Sequence, residues 1–198
     1  MFMKRTLLTL ILLGIIPFAC HQVDAYLKID NLTCEVYKDD ELSIILQPVD
    51  TISNNQVFFR INITYNFVSY HNTIQPFDLS IPIYAFDKRP PGFDGLKDKL
   101  SAIKILSSNN FNGHNAGIDL KELFKWHDVQ WDRQKKSIDS LVIELNESAF
   151  FIGGNPYFFK LILMERPNDN LQHTFDFDFV YESGNHQLVS STTINWRK

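Results

Sequence analysis

Cysteine is almost missing from this chain: only Cys20 and Cys34 occur in 198 residues. Small exported domains that cannot build a sufficient core are usually stapled by several disulfides, so this sequence has to hold itself together by burying apolar surface. If a leader is removed, or if Cys20 is acylated, Cys34 is the one thiol left and no intrachain disulfide can form. Basic clusters are also lacking. Nineteen Lys and Arg against twenty-three Asp and Glu give a net charge of −4, and no basic run exceeds two residues. A nucleic-acid partner needs a concentrated basic face, so none is expected.

Catalytic and metal signatures are equally scarce. No serine stands in a Gly-x-Ser-x-Gly elbow, and no His-x-x-x-His or Cys-x-x-Cys spacing occurs, so neither an activated nucleophile nor a zinc site is expected. No repeat, low-complexity tract or linker divides the chain. One long uncharged apolar run exists, Thr6 to Phe18, which is short of the roughly 20 residues that span a bilayer.

That run follows Lys4-Arg5 and ends at Ala19-Cys20, the layout of an export signal. Two cuts fit it. Lipoprotein processing before Cys20 makes residues 1–19 the signal, makes 20–25 a short tether and leaves Cys20 to be acylated. Ordinary cleavage after Val23-Asp24-Ala25 instead releases an unanchored, secreted protein. The remaining 26–198 fits a single domain, large enough to bury most of its apolar surface without staples.

What the sequence has in quantity is phenylalanine, seventeen residues, mostly in alternating runs. Phe59, Ile61, Ile63, Tyr65 and Phe67 alternate with Arg60, Asn62, Thr64 and Asn66, the signature of a strand with one core face and one wet face. Tyr26 to Tyr37, Leu42 to Leu46, Phe77 to Phe86, Leu141 to Leu145 and Phe158 to Met164 read as further strands, the last apolar on both faces and so central. Phe175, Phe177, Phe179 and Tyr181 alternate with Asp176 and Asp178 and pair with Gln187 to Trp196 as a terminal hairpin.

Pro90-Pro91-Gly92 must end a strand, because two prolines remove ladder donors, while Gly92 and Gly95 allow the turn that follows. Asn109 to Gly117 is a second turn-rich loop. It leads to Asp119 and Glu122, placed as a capping box for a short helix with Leu120, Leu123 and Phe124 on one face. Strands at this spacing with one short helix predict a mainly β fold, an antiparallel β-sandwich of immunoglobulin-like or transthyretin-like type.

The chemistry-bearing residues are weighed against plainer roles. His127-Asp128 is read as a surface pair, Asp176 and Asp178 as a solvated strand face, and Cys34 as a small buried hydrophobe. His71, His114, His127, His173 and His186 fall in loops or at strand ends. The stretch from Trp126 to Asp132 reads as an exposed connection, and Trp126, Trp131 and Phe93 are the candidate ligand contacts, since exposed aromatics supply area at low entropy cost. No catalytic residue, metal or cofactor is expected.

Three blocks carry a resemblance: Tyr26-Leu27-Lys28-Ile29-Asp30-Asn31-Leu32; Ala85 through Leu100 with Pro91-Gly92-Phe93 and Lys97-Asp98-Lys99-Leu100; and Asn109-Asn110-Phe111-Asn112 leading through Ala116-Gly117 to Asp119-Leu120. In these the chain resembles a family of small Bacteroidota lipoproteins of unknown function. The resemblance implies acylation at Cys20, since such proteins tolerate a loose lipobox, and an address in the cell envelope at the outer membrane. It implies no activity, and the cysteine that members often carry near Ala85 or Phe86 is absent. The expected function is therefore a non-catalytic binding or structural module, held to the membrane by its N-terminal lipid, with an envelope protein or glycan as partner.

Overall fold

The computed structural model describes residues 26–39, 42, 44–48, 50–53, 55–68, 92–128, 132–147, 157–168 and 171–197, with backbone only at 128, 132 and 133. The expected strand Phe77 to Phe86 lies outside them. The described chain is mainly β. Its elements are β1 (Tyr26–Tyr37), β2 (Thr51–Ile52), β3 (Val57–Val68), β4 (Leu100–Ser107), β5 (Phe124–Asp128), β6 (Asp132–Lys136), helix α1 (Ile138–Asn146), β7 (Tyr157–Leu163), β8 (Gln172–His173), β9 (Phe175–Tyr181), β10 (His186–Ser190) and β11 (Ile194–Trp196).

Five strands form one antiparallel sheet in the order β1-β3-β7-β5-β6, and β10-β9-β4 form a second antiparallel sheet. A small third sheet, β2-β11-β8, joins chain segments far apart in sequence, with β11 parallel to β2 and antiparallel to β8. The expected sandwich packing is visible in the rings. Phe59 of β3 lies 5.7 Å from Phe175 and 5.3 Å from Phe177 of β9, both edge-on, and Phe124 of β5 meets the same two at 5.5 and 6.2 Å. Edge-to-face pairs of this kind add roughly 0.5 to 1.5 kcal/mol each beyond area burial. Alternation puts Phe175, Phe177 and Phe179 on one side of β9, and all three are fully buried.

β7 is central, as its two-sided apolarity predicts, and β3 carries Phe59, Ile61, Ile63 and Tyr65 into the core. Two details of β3 differ from expectation. Phe67 is 45% exposed because the strand runs past the edge of the core, and the opposite face is not simply wet. Phe58 is buried there with Tyr37 and Ile162, and Leu42 and Met164 pack on them. Across that face the Arg60 guanidinium stands 4.0 Å from the Phe158 ring centroid, and the buried Lys160 ammonium stands 5.4 Å from Phe58.

Three segments correct the sequence reading. Leu141 to Leu145 is not a strand but part of α1, where Ile138, Leu141, Val142 and Leu145 are buried at helical spacing and Ile143 is exposed. Ser137 caps it, its side chain accepting from the Ser140 N–H. Conversely, the short helix expected after Asp119 is only a 3-10 turn at Lys121–Leu123. Asp119 accepts from Lys121 N–H at 3.0 Å, but it also accepts from Ile105 N–H of β4 at 3.0 Å, so its carboxylate ties a loop to a sheet edge rather than starting an α-helix. The last strand is broken. β10 stops at Ser190, Ser191 donates its N–H to Phe175 O and accepts through its hydroxyl from Phe175 N–H, and β11 then joins the third sheet. Of the Leu42 to Leu46 segment, Ile45 makes a single bridge to Tyr37.

Candidate functional site

One end of the sandwich gathers the start of β1, the end of β3, the loop leading into β4 and the β9–β10 turn. Leu27 donates its N–H to Gly95 O at 2.8 Å and accepts from Lys97 N–H at 2.9 Å, so the loop clips onto β1 as a short parallel bridge. Gly92 and Gly95 take φ of +75° and +77° to make the turn, in keeping with the glycines expected there. The β9–β10 turn is bound to the same loop. Glu182 donates its N–H to Lys99 O, and Asp98 accepts from Ser183 N–H at 3.2 Å and Ser183 Oγ at 2.5 Å. A shallow groove of about 400 Å³ opens between Tyr26, Leu96, Lys97, Lys99 and Glu182. It pairs an aromatic ring with two ammonium groups and one carboxylate, a set suited to polar, hydroxyl-bearing or anionic groups presented at the surface.

Phe93 belongs to this end and is 46% exposed, with Phe67 close by and as exposed. Trp126 does not belong to it. Its ring is fully buried in β5, its indole N–H donates to Ser140 Oγ of α1 at 2.9 Å, and the Lys136 ammonium stands 5.3 Å from its ring centroid. It serves as packing between helix and sheet, not as an exposed contact. Of the segment expected to be an exposed connection, Trp126 to Asp128 belong to β5 and Asp132 begins β6, and the two strands pair antiparallel. Trp131 and Cys20 lie outside the described residues.

Two carboxylates of β9 are hydrogen-bonded to neighbours on β10. His186 Nδ1 meets both Asp178 carboxylate oxygens at 3.0 Å, and Ser190 Oγ donates to Asp176 at 2.6 Å, so those two carboxylates face a hydrogen-bonded strand surface. Among the described residues no group of three His, Cys, Asp or Glu side chains could hold a metal ion. Burial, with Glu35 as a lesser neighbour, pushes the Cys34 thiol far above the usual range, which leaves it a poor nucleophile.

Two of the histidines read as lying in loops or at strand ends are buried. His127 is buried in β5, and His173 is fully buried in β8. The His173 ring stacks on Phe175 at 5.9 Å and meets Phe111 and Trp196 edge-on at 5.1 and 5.8 Å, and its Nδ1 lies 2.7 Å from Ser107 Oγ. A serine hydroxyl beside an imidazole is the start of a nucleophilic pair, but Ser107 is only 5% exposed and His173 is closed off from solvent, so the contact welds β4 to the third sheet. Parity could have shown this, because residue 173 shares the face of Phe175, Phe177 and Phe179.

Comparison with known protein families, with curated proteins and with solved structures finds no match.

Proposed function

We propose that this protein is an exported cell-envelope lipoprotein, acylated at Cys20, whose β domain acts as a binding or structural module rather than as an enzyme. The observation that carries the reading is the order of the N-terminal residues: Lys4-Arg5, an uncharged apolar run from Thr6 to Phe18, then Ala19-Cys20, with β1 beginning at Tyr26. The positive start and apolar stretch suit the export machinery, Ala19 supplies the small residue at the cut, and His21 to Ala25 leave a tether before the first strand. One acyl chain gives only marginal membrane binding, at about 0.8 kcal/mol per buried CH₂, so stable retention implies more than one chain on Cys20.

The non-catalytic reading draws support from the described side chains. Asp178 with His186, Asp98 with Ser183, Lys136 with Glu144 and Ser107 with His173 form contacts that join structural elements. An envelope protein or glycan is the expected partner of such a module.

Labelling with palmitate and fractionating the cells tests the anchor. The wild-type chain incorporates label and sediments with membranes, Cys20→Ala does neither, and Cys34→Ala does both. A mature protein that starts at Tyr26 and carries no acyl chain would replace this reading with a secreted, unanchored binding protein.

A further inference from the structure

We propose that the end of the sandwich built by Tyr26, Phe67 and the Gly92–Lys99 loop rests on the bilayer, with the Phe67 and Phe93 rings at the level of the lipid headgroups. The inference rests on acylation of Cys20. Given that anchor, six residue steps separate the lipid from Tyr26, a reach of at most about 20 to 22 Å. Tyr26 pairs with Val68, Leu27 pairs with Phe67, and Leu27 also holds Gly95 and Lys97. The residues that meet at this end are therefore the ones the tether keeps near the membrane surface.

A second exposed apolar pair provides the contrast. Ile44 and Ile45 are 53% and 46% exposed, but Lys38 donates to Ile44 O and Leu46 donates to Val36 O, which places them at the far end of β1. Eleven strand steps put that end about 36 Å from Tyr26, beyond the reach of the tether alone. Aromatic rings favour the interface between headgroups and acyl chains, and here two of them lie on the tethered end.

Charge does not drive the contact. Lys97 and Lys99 stand against Asp94 and Glu182 on the same end, so attraction to anionic lipid largely cancels and the rings supply the affinity. The contact should therefore be insensitive to salt, since at about 1 M, where the screening length falls to about 3 Å, only a charge-driven contact would be lost.

The test uses the acylated full chain in vesicles of phosphatidylcholine and phosphatidylglycerol containing a chain-labelled quencher lipid. An environment-sensitive fluorophore is placed at Phe93→Cys or at Ile44→Cys. The proposal expects loss of most emission at position 93, little loss at 44, and the same pattern in high salt. Since Phe67 also packs within the fold, Phe93→Ser with the fluorophore at Asn185→Cys is the second variant, and its quenching should fall relative to the same label beside native Phe93. Equal quenching at 93 and 44, or quenching removed by salt, on a chain shown to be acylated overturns the proposal and leaves the anchor standing. Absence of an acyl chain on the same preparation overturns both.

Discussion

Replacing Gly92 with alanine tests how tightly the 92–97 loop is packed against β1 and β3. Gly92 has φ +75°, a left-handed conformation that costs a residue with a Cβ roughly 1 to 2 kcal/mol. A Cβ there would also lie 2.8 Å from Leu27 Cγ, 3.0 Å from Leu27 Cδ2 and 3.0 Å from Phe67 Cε1. Leu27 is 1% exposed and held through its backbone on both sides, so it has little room to retreat. Overpacking of this kind adds about 1 to 3 kcal/mol, and Gly92→Ala should lose about 2 to 5 kcal/mol in all. Gly184 is the control. It has φ +83° and nothing within 4 Å of the added Cβ, so Gly184→Ala should lose only the backbone share, about 1 to 2 kcal/mol. Urea unfolding followed by tryptophan fluorescence measures both. Equal losses would refute the close approach of the loop to Leu27, and with it the account of how this end is held.

The core makes its own forecast: Ile61, fully buried in β3, should lose about 2 to 5 kcal/mol on Ile61→Ala, whereas Asn62→Ala, which gives up one exposed hydrogen bond to Thr33, should lose well under that; equal losses in denaturation would mean a wrong register. Cys34, its thiol held protonated by burial and then by Glu35, should resist iodoacetamide at pH 8 in the folded chain and react after unfolding, and fast labelling of the native chain would contradict its placement. Tyr181, raised to about 12 chiefly by burial and also by Asp98, keeps its proton in the folded state at pH values where the unfolded chain has lost it. Its contribution is therefore fully present below about pH 10, the ordinary tyrosine value, and is lost as pH rises through about 12. Tyr181→Phe should flatten that alkaline loss in a pH series of thermal midpoints, and an unchanged slope would discount the residue.

Legibility followed the strength of the local period. β3 was readable because five alternating apolar residues leave no helical alternative, and β1 and β7 emerged for similar reasons. α1 was misread because Leu141, Ile143 and Leu145 alternate, although Val142 breaks that alternation and Ile138, Leu141, Val142 and Leu145 fit a helical face. Ser137 before them is the cap that should have decided the matter. Trp126 looked exposed among His, Asp and Gln neighbours, yet Phe124 and Trp126 flank Lys125 as inward positions of a strand. Of the candidate site, the turn glycines and Phe93 were visible locally. The approach of Phe67 to Gly92 and the clip of Lys97 onto Leu27 are tertiary facts with no local sequence signal.

Sheet edges must also be kept from recruiting other chains, and two edge strands, β4 and β1, are covered in part by helix and loop residues. On β4, Leu100 gives its N–H to Asn146 Oδ1 and its carbonyl accepts from Asn146 Nδ2, while Ile105 gives its N–H to Asp119 and accepts from Leu120 N–H. On β1, the 95–97 loop takes one end at Leu27, and Ile44 and Leu46 take the other at Lys38 and Val36. Asn146 ends α1, so the same helix that buries Leu141 and Leu145 also blocks an edge. Asp119 does the equivalent for the 3-10 turn. Asp119, read from the sequence as a cap, and the turn that begins at Gly92 thus help keep the two sheets from extending, and the loop that clips β1 is the one that carries Phe93 to the surface.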